Sequence, residues 1–286
     1  MQQALQIMGI LNITPDSFYD GNQLSAHSRS SGPSLTGQSS ALTFHVDKNL
    51  ALHRLQKMVE EGVGIIDIGG QSALETAPIS EKEELLRVLP IVDLVRSHYP
   101  QLQISVDTSK AVVAAQALKS GVHIINDITA GRGDLDMLKT VAKSDCLYVI
   151  MYNKDTTSPA RIRQLDYEDV VKTLYTFFEE CIQAAQKAGI ERSRLIIDPG
   201  LGHFISSDGQ YSWEVLERLS EFKDLGCPIL VSPSRKSFTA KHPHQPPSER
   251  LPGTLKATKM ALKNGASIVR THDVGETAEL SLKLKN

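Results

Sequence analysis

QISVDTSKAVVAAQALKSGVHIIND, residues 103–127, is the stretch that decides the fold. The run Ile104–Val106 ends on Asp107, a helix-forming segment follows over roughly 109–120, and Gly121 stops it where a left-handed C-cap suits glycine. A second run, Ile124-Ile125, then ends on Asn126-Asp127. Neither run alternates apolar with polar residues as a strand of a one-sided sheet would. Each reads as a strand buried on both faces, and two such strands with a helix between them are parallel. The unit repeats along the chain. Ile10-Leu11 runs into Asn12, Ile65-Ile66 into Asp67, and Leu195–Ile197 into Asp198. Pro228–Val231 leads to Ser234-Arg235-Lys236, Ile268-Val269 to Arg270-Thr271-His272, and Tyr148–Met151 completes eight runs.

Helical stretches separate them, over roughly 45–62, 80–97, 109–120, 134–143, 167–188, 211–224, 248–264 and 275–284. Ser80 stands three residues before Glu83, the spacing of a capping box. Alternation through the whole length predicts an α/β chain, a (β/α)8 TIM barrel of one domain over 1–286. A doubly wound open sheet is the rival, but it gathers ligands at one switch point. Polar residues at the carboxyl end of nearly every strand favour the closed ring, where they converge on one mouth.

Composition excludes several classes. The 286-residue chain suits one barrel, and a net charge of −2 gives no broad basic surface for nucleic acid. No apolar run is long enough for a membrane span, and the N-terminus leads straight into the first strand without a secretory signal. The three cysteines lack metal-ligand spacing; a sparse, odd set fits packing residues in a reducing cytosol, so a cytoplasmic protein is expected. One segment interrupts the pattern: residues 22–43 are serine-rich, with few apolar residues beyond Leu24, Leu35 and Leu42. An insertion of this length at the mouth reads equally well as a lid or as a disordered loop.

Seven pieces of the chain, taken in order, resemble the dihydropteroate synthase family. They are MGILNITPDSFYDG (8–21), IIDIGGQS (65–72), SVDT (105–108), IND (125–127), DPGLG (198–202), SRKSF (234–238) and RTHDV (270–274). Asp-Pro-Gly alone is weak evidence; seven pieces in order at plausible spacing are strong. The resemblance implies a (β/α)8 barrel that joins 6-hydroxymethyl-7,8-dihydropterin diphosphate to 4-aminobenzoate, releasing diphosphate and forming 7,8-dihydropteroate. It also implies Mg²⁺ and a homodimer.

The residues suit that chemistry. A pterin is flat with a donor-and-acceptor edge, and each buried group left unmatched costs ~1–3 kcal/mol. Asp107 and Asp198 can accept from amino and ring N–H groups, and Asn126 can both donate and accept. Lys236 can donate to the ring. By resemblance these four form the pterin pocket, while Asp67 is expected to brace Gly69-Gly70 or the first loop. Arg270 offers a planar fork for phosphate oxygens, and His272 shares its face two residues on. Asn12 can give an amide oxygen to Mg²⁺, a hard cation that takes few protein ligands beside phosphates. By resemblance Arg270, His272 and Asn12 serve the diphosphate and metal, Lys236 and Arg270 act in catalysis, and Ser237 orients the aminobenzoate carboxylate. The expected mechanism is electrophilic, with no nucleophile constellation.

The match departs in two loops besides the serine-rich segment. The family usually has Ser-Thr-Arg-Pro-Gly where this chain has Ser72-Ala73-Leu74-Glu75-Thr76-Ala77-Pro78, and Phe-Gly-Lys where it has His203-Phe204-Ile205. The second change is expected to alter the floor of the aminobenzoate side. A working synthase with an altered second-substrate pocket and a paralogue that binds the pterin diphosphate without efficient condensation both stay open. A pterin-binding methyltransferase domain is a third reading; it needs no diphosphate site, so the Ser-Arg-Lys and Arg-Thr-His pieces argue against it.

Overall fold

The computed structural model describes residues 5–13, 25–26, 45–71, 78–156 and 161–285. Most of the serine-rich segment and the departure at 73–77 lie outside these residues. Within that segment, Ser25–Ala26 pairs antiparallel with His45–Val46.

Eight parallel strands form one sheet: β1 (Gln6–Asn12), β2 (Ile65–Gly69), β3 (Gln103–Asp107), β4 (Ile124–Asp127), β5 (Leu147–Met151), β6 (Leu195–Asp198), β7 (Leu230–Val231) and β8 (Ile268–Thr271). Their order is β6-β5-β4-β3-β2-β1-β8-β7. A parallel bridge from Ile197 to Ile229, with Ile197 N–H donating to the Pro228 carbonyl at 3.0 Å, joins β6 to the approach of β7 and closes the ring. Helices α1 (Lys48–Glu60), α2 (Glu81–His98), α3 (Ala111–Lys119), α4 (Met137–Ala142), α5 (Val170–Lys187), α6 (Gln210–Glu217), α7 (Leu251–Lys263) and α8 (Val274–Lys285) alternate with them. The expected (β/α)8 barrel is the observed one.

Period-two alternation divides each strand between two environments. Ile7, Leu11, Ile66, Ile68, Ile104 and Val106 belong to the large apolar layer shared with the helices. Met8, Ile65, Ile124, Val149, Ile196, Leu230 and Ile268 form a separate cluster that fills the barrel. Two residues further along the same strands come Asp67, Asn126, Met151, Asp198 and Arg270. An apolar plug therefore lies beneath a polar tier, and the tier faces the carboxyl-end mouth.

Local chemistry sets the helix ends. Asp47 accepts from the N–H groups of Asn49 and Leu50, both at 3.0 Å. Ser80 Oγ accepts from Glu83 N–H at 3.2 Å, but Glu83 turns its carboxylate to Arg87 at 2.5 Å, so only half of the capping box forms. The helix expected over 211–224 ends early: α6 stops at Glu217 and a 3-10 turn, Leu219–Leu225, continues the chain. Leu219, Phe222 and Leu225 are its buried residues. Their three-residue spacing lines them up in one row in a 3-10 helix, which has three residues per turn.

Asp127 closes β4 and organises the loop after it. Its carboxylate accepts from Thr129 N–H at 2.8 Å and from Thr129 Oγ1, Gly131 N–H and Tyr148 OH at 2.7 Å each. Asp127→Asn replaces an acceptor by a donor among four donors. It is expected to lower stability by ~2–4 kcal/mol in urea unfolding; an unchanged midpoint would show that the loop holds itself.

Candidate active site

The mouth holds a cavity of about 450 Å³. Asn12, Asp107, Asn126, Asp198, Lys236, Ser237, Arg270 and His272 all line it. The eight side chains singled out from the sequence are thus brought to one place, although they come from both halves of the chain.

Arg270 lies at the centre of the polar tier. Its Nε donates to Asp67 Oδ2 at 2.6 Å and its Nη2 to Asp107 Oδ2 at 2.9 Å. Asn126 Nδ2 donates to the same Asp67 oxygen at 3.2 Å. Asp67 therefore braces Arg270 and Asn126, not the glycines or the first loop: it sits mid-strand facing inward, and its neighbours there are other strands. Two acceptors of this network, Asp67 Oδ1 and Asn126 Oδ1, are buried without a hydrogen-bond partner among the described residues. Burial raises the Asp107 pKa to about 7, with Arg270 opposing and Asp67 adding to the rise. Burial works against the Arg270 charge, but Asp67 and Asp107 outweigh it and hold its pKa above the ordinary value.

Asp198 ends β6, and Gly200 N–H donates to its Oδ1 at 2.8 Å. Glycine is required there. Its φ is +67°, and a Cβ would lie 1.9 Å from the Tyr152 carbonyl oxygen. Burial pushes the Asp198 pKa up against the pull of Lys236. Lys236 Nζ donates to the Leu201 carbonyl at 2.8 Å and lies 4.8 Å from the centre of the Phe204 ring. Burial lowers its pKa to about 8, with Asp198 resisting.

The residue before Lys236 helps to aim it. Arg235 holds a left-handed backbone, φ +55°, and its Nη2 and Nε donate to Asp273 at 2.5 and 3.2 Å. Its N–H donates to Thr254 Oγ1 at 2.9 Å, and its carbonyl accepts from Arg250 Nη1 at 3.0 Å. Together these hold the conformation that points Lys236 and Ser237 at the cavity.

Of the departing tripeptide, His203 and Phe204 line the cavity, whereas Ile205 is fully buried in the apolar layer and forms no part of the floor. On the far wall, Asn12 Oδ1 occupies the space beside Gly69, where a Cβ would approach it to 2.8 Å. Ser234 Oγ lies 2.9 Å from His272 Nδ1 and accepts from His272 N–H at 3.1 Å.

Several lining groups carried no local signal in the sequence. Glu84 is buried against Lys110 Nζ, which also donates to the Ile79 carbonyl at 2.9 Å and so fixes the foot of the loop after β2. Arg250, from the approach to α7, also reaches the cavity. Among the described residues no group of three His, Cys, Asp or Glu side chains is arranged to hold a metal ion. Asn12 Oδ1 is a hard donor of the kind that suits Mg²⁺ held mainly by phosphate and water.

Comparison with known proteins agrees with this geometry. Residues 35–272 match the family model described as pterin binding enzyme. Dihydropteroate synthase of Haemophilus influenzae is 37% identical over 96% of this chain and 91% of its own length. A structure of the Yersinia pestis dihydropteroate synthase in complex with a sulfonamide drug superposes with a TM-score of 0.83 at 33% identity, covering 99% of this chain and 93% of that one. A Xanthomonas albilineans dihydropteroate synthase with 4-aminobenzoic acid superposes at 0.79 with 29% identity, over 99% and 92% of the two chains. The chain belongs to the dihydropteroate synthase family of pterin-binding enzymes.

Proposed function

We propose that this chain condenses 6-hydroxymethyl-7,8-dihydropterin diphosphate with 4-aminobenzoate to give 7,8-dihydropteroate and diphosphate, the reaction of its family. The observation that carries this reading is Asn126 Oδ1, an acceptor buried without a partner among the described residues, on a side chain that lines the cavity with Asp107, Asp198 and Arg270. An unpaired acceptor beside two carboxylates in a cavity wall calls for a ligand that brings several N–H groups.

In this reading Asp107, Asn126 and Asp198 match the pterin's donor edge, and Lys236 donates to the ring. Arg270 has Nε and Nη2 engaged by carboxylates, so its Nη1 takes the diphosphate, with the His272 ring beside it in the cavity wall. Positive charge on Arg270 stabilises the leaving diphosphate as its carbon–oxygen bond breaks, and the carboxylates favour the cation left on the dihydropterin. The arylamine nitrogen attacks that carbon and then loses its proton. Asn12 would hold Mg²⁺, which when bound would supply further charge neutralisation for the phosphates. By the same resemblance one domain spans 1–286 and pairs with a second copy, so light scattering is expected to give twice the mass of the chain.

The direct test is dihydropteroate formation from the pterin diphosphate, Mg²⁺ and 4-aminobenzoate. Turnover is expected in the wild type and lost in Lys236→Ala. Absence of turnover beside retained pterin diphosphate binding would mark a paralogue that does not condense. Arg270→Lys keeps the charge but not the fork. It is expected to raise the KM for the pterin diphosphate ~10-fold or more; an unchanged KM would remove Arg270 from the anion site.

Titration gives a further expectation. Asp107 accepts from the pterin only as a carboxylate, so affinity falls as pH drops below about 7. Lys236 donates best while charged, so affinity falls again above about 8. Calorimetry across roughly pH 5–10 is expected to show a maximum between these values, and Lys236→Met to abolish the alkaline limb. A flat profile would contradict both assignments.

A further inference from the structure

His203 stands where the family usually carries phenylalanine, at the centre of the 3-10 turn Gly202–Phe204. It lines the cavity beside Phe204, Lys236, Ser237 and Arg250. Its carbonyl accepts from Lys154 Nζ, which anchors the turn. Its ring Nε2 lies 3.2 Å from Ser237 Oγ, while Nδ1 is buried without a partner among the described residues. Burial, then the charges of Lys154, Lys236 and Arg250, lower the pKa of the ring and keep it neutral.

A neutral imidazole carries one N–H. A proton on Nδ1 would be a buried donor with no acceptor, a rarer and costlier fault than an unfilled acceptor. The proton therefore belongs on Nε2, which donates to Ser237 Oγ. That hydroxyl, already accepting from the ring, turns its own proton outward to the cavity, in a corner made positive by Lys236 and Arg250. A fixed hydroxyl donor in a positive corner suits a carboxylate.

We propose that His203 is a positioning residue for the second substrate: it holds the Ser237 hydroxyl as a donor to the arylamine's carboxylate. The inference rests on the synthase reading above. Phenylalanine at this position leaves the serine hydroxyl to rotate, so the replacement is a specificity device of this chain.

Steady-state kinetics on the full chain test it, with 4-aminobenzoate and with aniline, which lacks the carboxylate. His203→Phe and Ser237→Ala are each expected to raise the KM for 4-aminobenzoate about five- to tenfold, as loss of one hydrogen bond requires. Their kcat and their KM for the pterin diphosphate should stay within about twofold. The double variant should be no worse than the weaker single one, because the two residues act as one unit. His203→Gln, which keeps an N–H donor, should recover most of the loss, and with aniline the effect of His203→Phe should vanish. Nitrogen-15 shifts of the His203 ring should report a bare Nδ1. An active wild type whose KM for 4-aminobenzoate is unmoved by His203→Phe, or an equal penalty with aniline, overturns the inference alone. A wild type that forms no dihydropteroate overturns the synthase reading and the inference with it.

Discussion

The guanidinium of Arg270, clasped between Asp67 and Asp107, is the interaction on which the rest of the barrel's upper half depends. It ties β8 to β2 and β3 through the interior, 2.6 Å to one carboxylate and 2.9 Å to the other. Two buried carboxylates facing one another would repel without a cation between them. With the cation in place, Asp67 can also receive Asn126, and Asp107 keeps an edge on the cavity. The floor beneath them is built mainly from apolar side chains, which screen the charges of the network poorly. The same clasp that stabilises the fold therefore sets the polarity of the site.

A second set of contacts positions the opposite wall. Arg235 holds a backbone conformation that arginine seldom takes, and Asp273, Thr254 and Arg250 hold it there. The outcome is that Lys236 leaves the loop toward the cavity, over the Phe204 ring and onto the Leu201 carbonyl. Phe204 fills a place where the family usually has glycine, yet it seats the lysine and does not displace it. The substitution is accommodated because the aromatic face is electron-rich and the ammonium needs a neighbour once it leaves water.

What was legible in the sequence was whatever lay within one strand or one turn. The barrel could be read because most interior positions change from apolar to polar after a single tier, as in Ile65 to Asp67 and Ile124 to Asn126. The polar ends of seven strands then had to meet. Asp67 was assigned to the wrong partner because its true one, Arg270, is 203 residues away, and nothing local distinguishes the two. The fork of Arg270 was expected to be open to phosphate, whereas two of its nitrogens serve carboxylates that the sequence gives no means of orienting. Glu84 with Lys110, and His203 with Ser237, escaped notice for the same reason of distance. The early end of α6 was present in the spacing of Leu219, Phe222 and Leu225, which fits three residues per turn better than 3.6.

The ring is not equally strong around its circumference. Seven of its junctions are regular ladders, but β6 meets β7 through one bridge and one adjoining hydrogen bond among the described residues. Local opening concentrates where backbone pairing is sparsest, so this seam is where the barrel is expected to open first. Asp198 stands on one lip of it and Lys236 follows the other. A flat ring gripped by both is a stitch across the seam, and substrate capture becomes mechanically the completion of the barrel. Amide protons flanking Ile197 and Ile229 should then exchange more slowly once the site is filled, with no change of shape elsewhere.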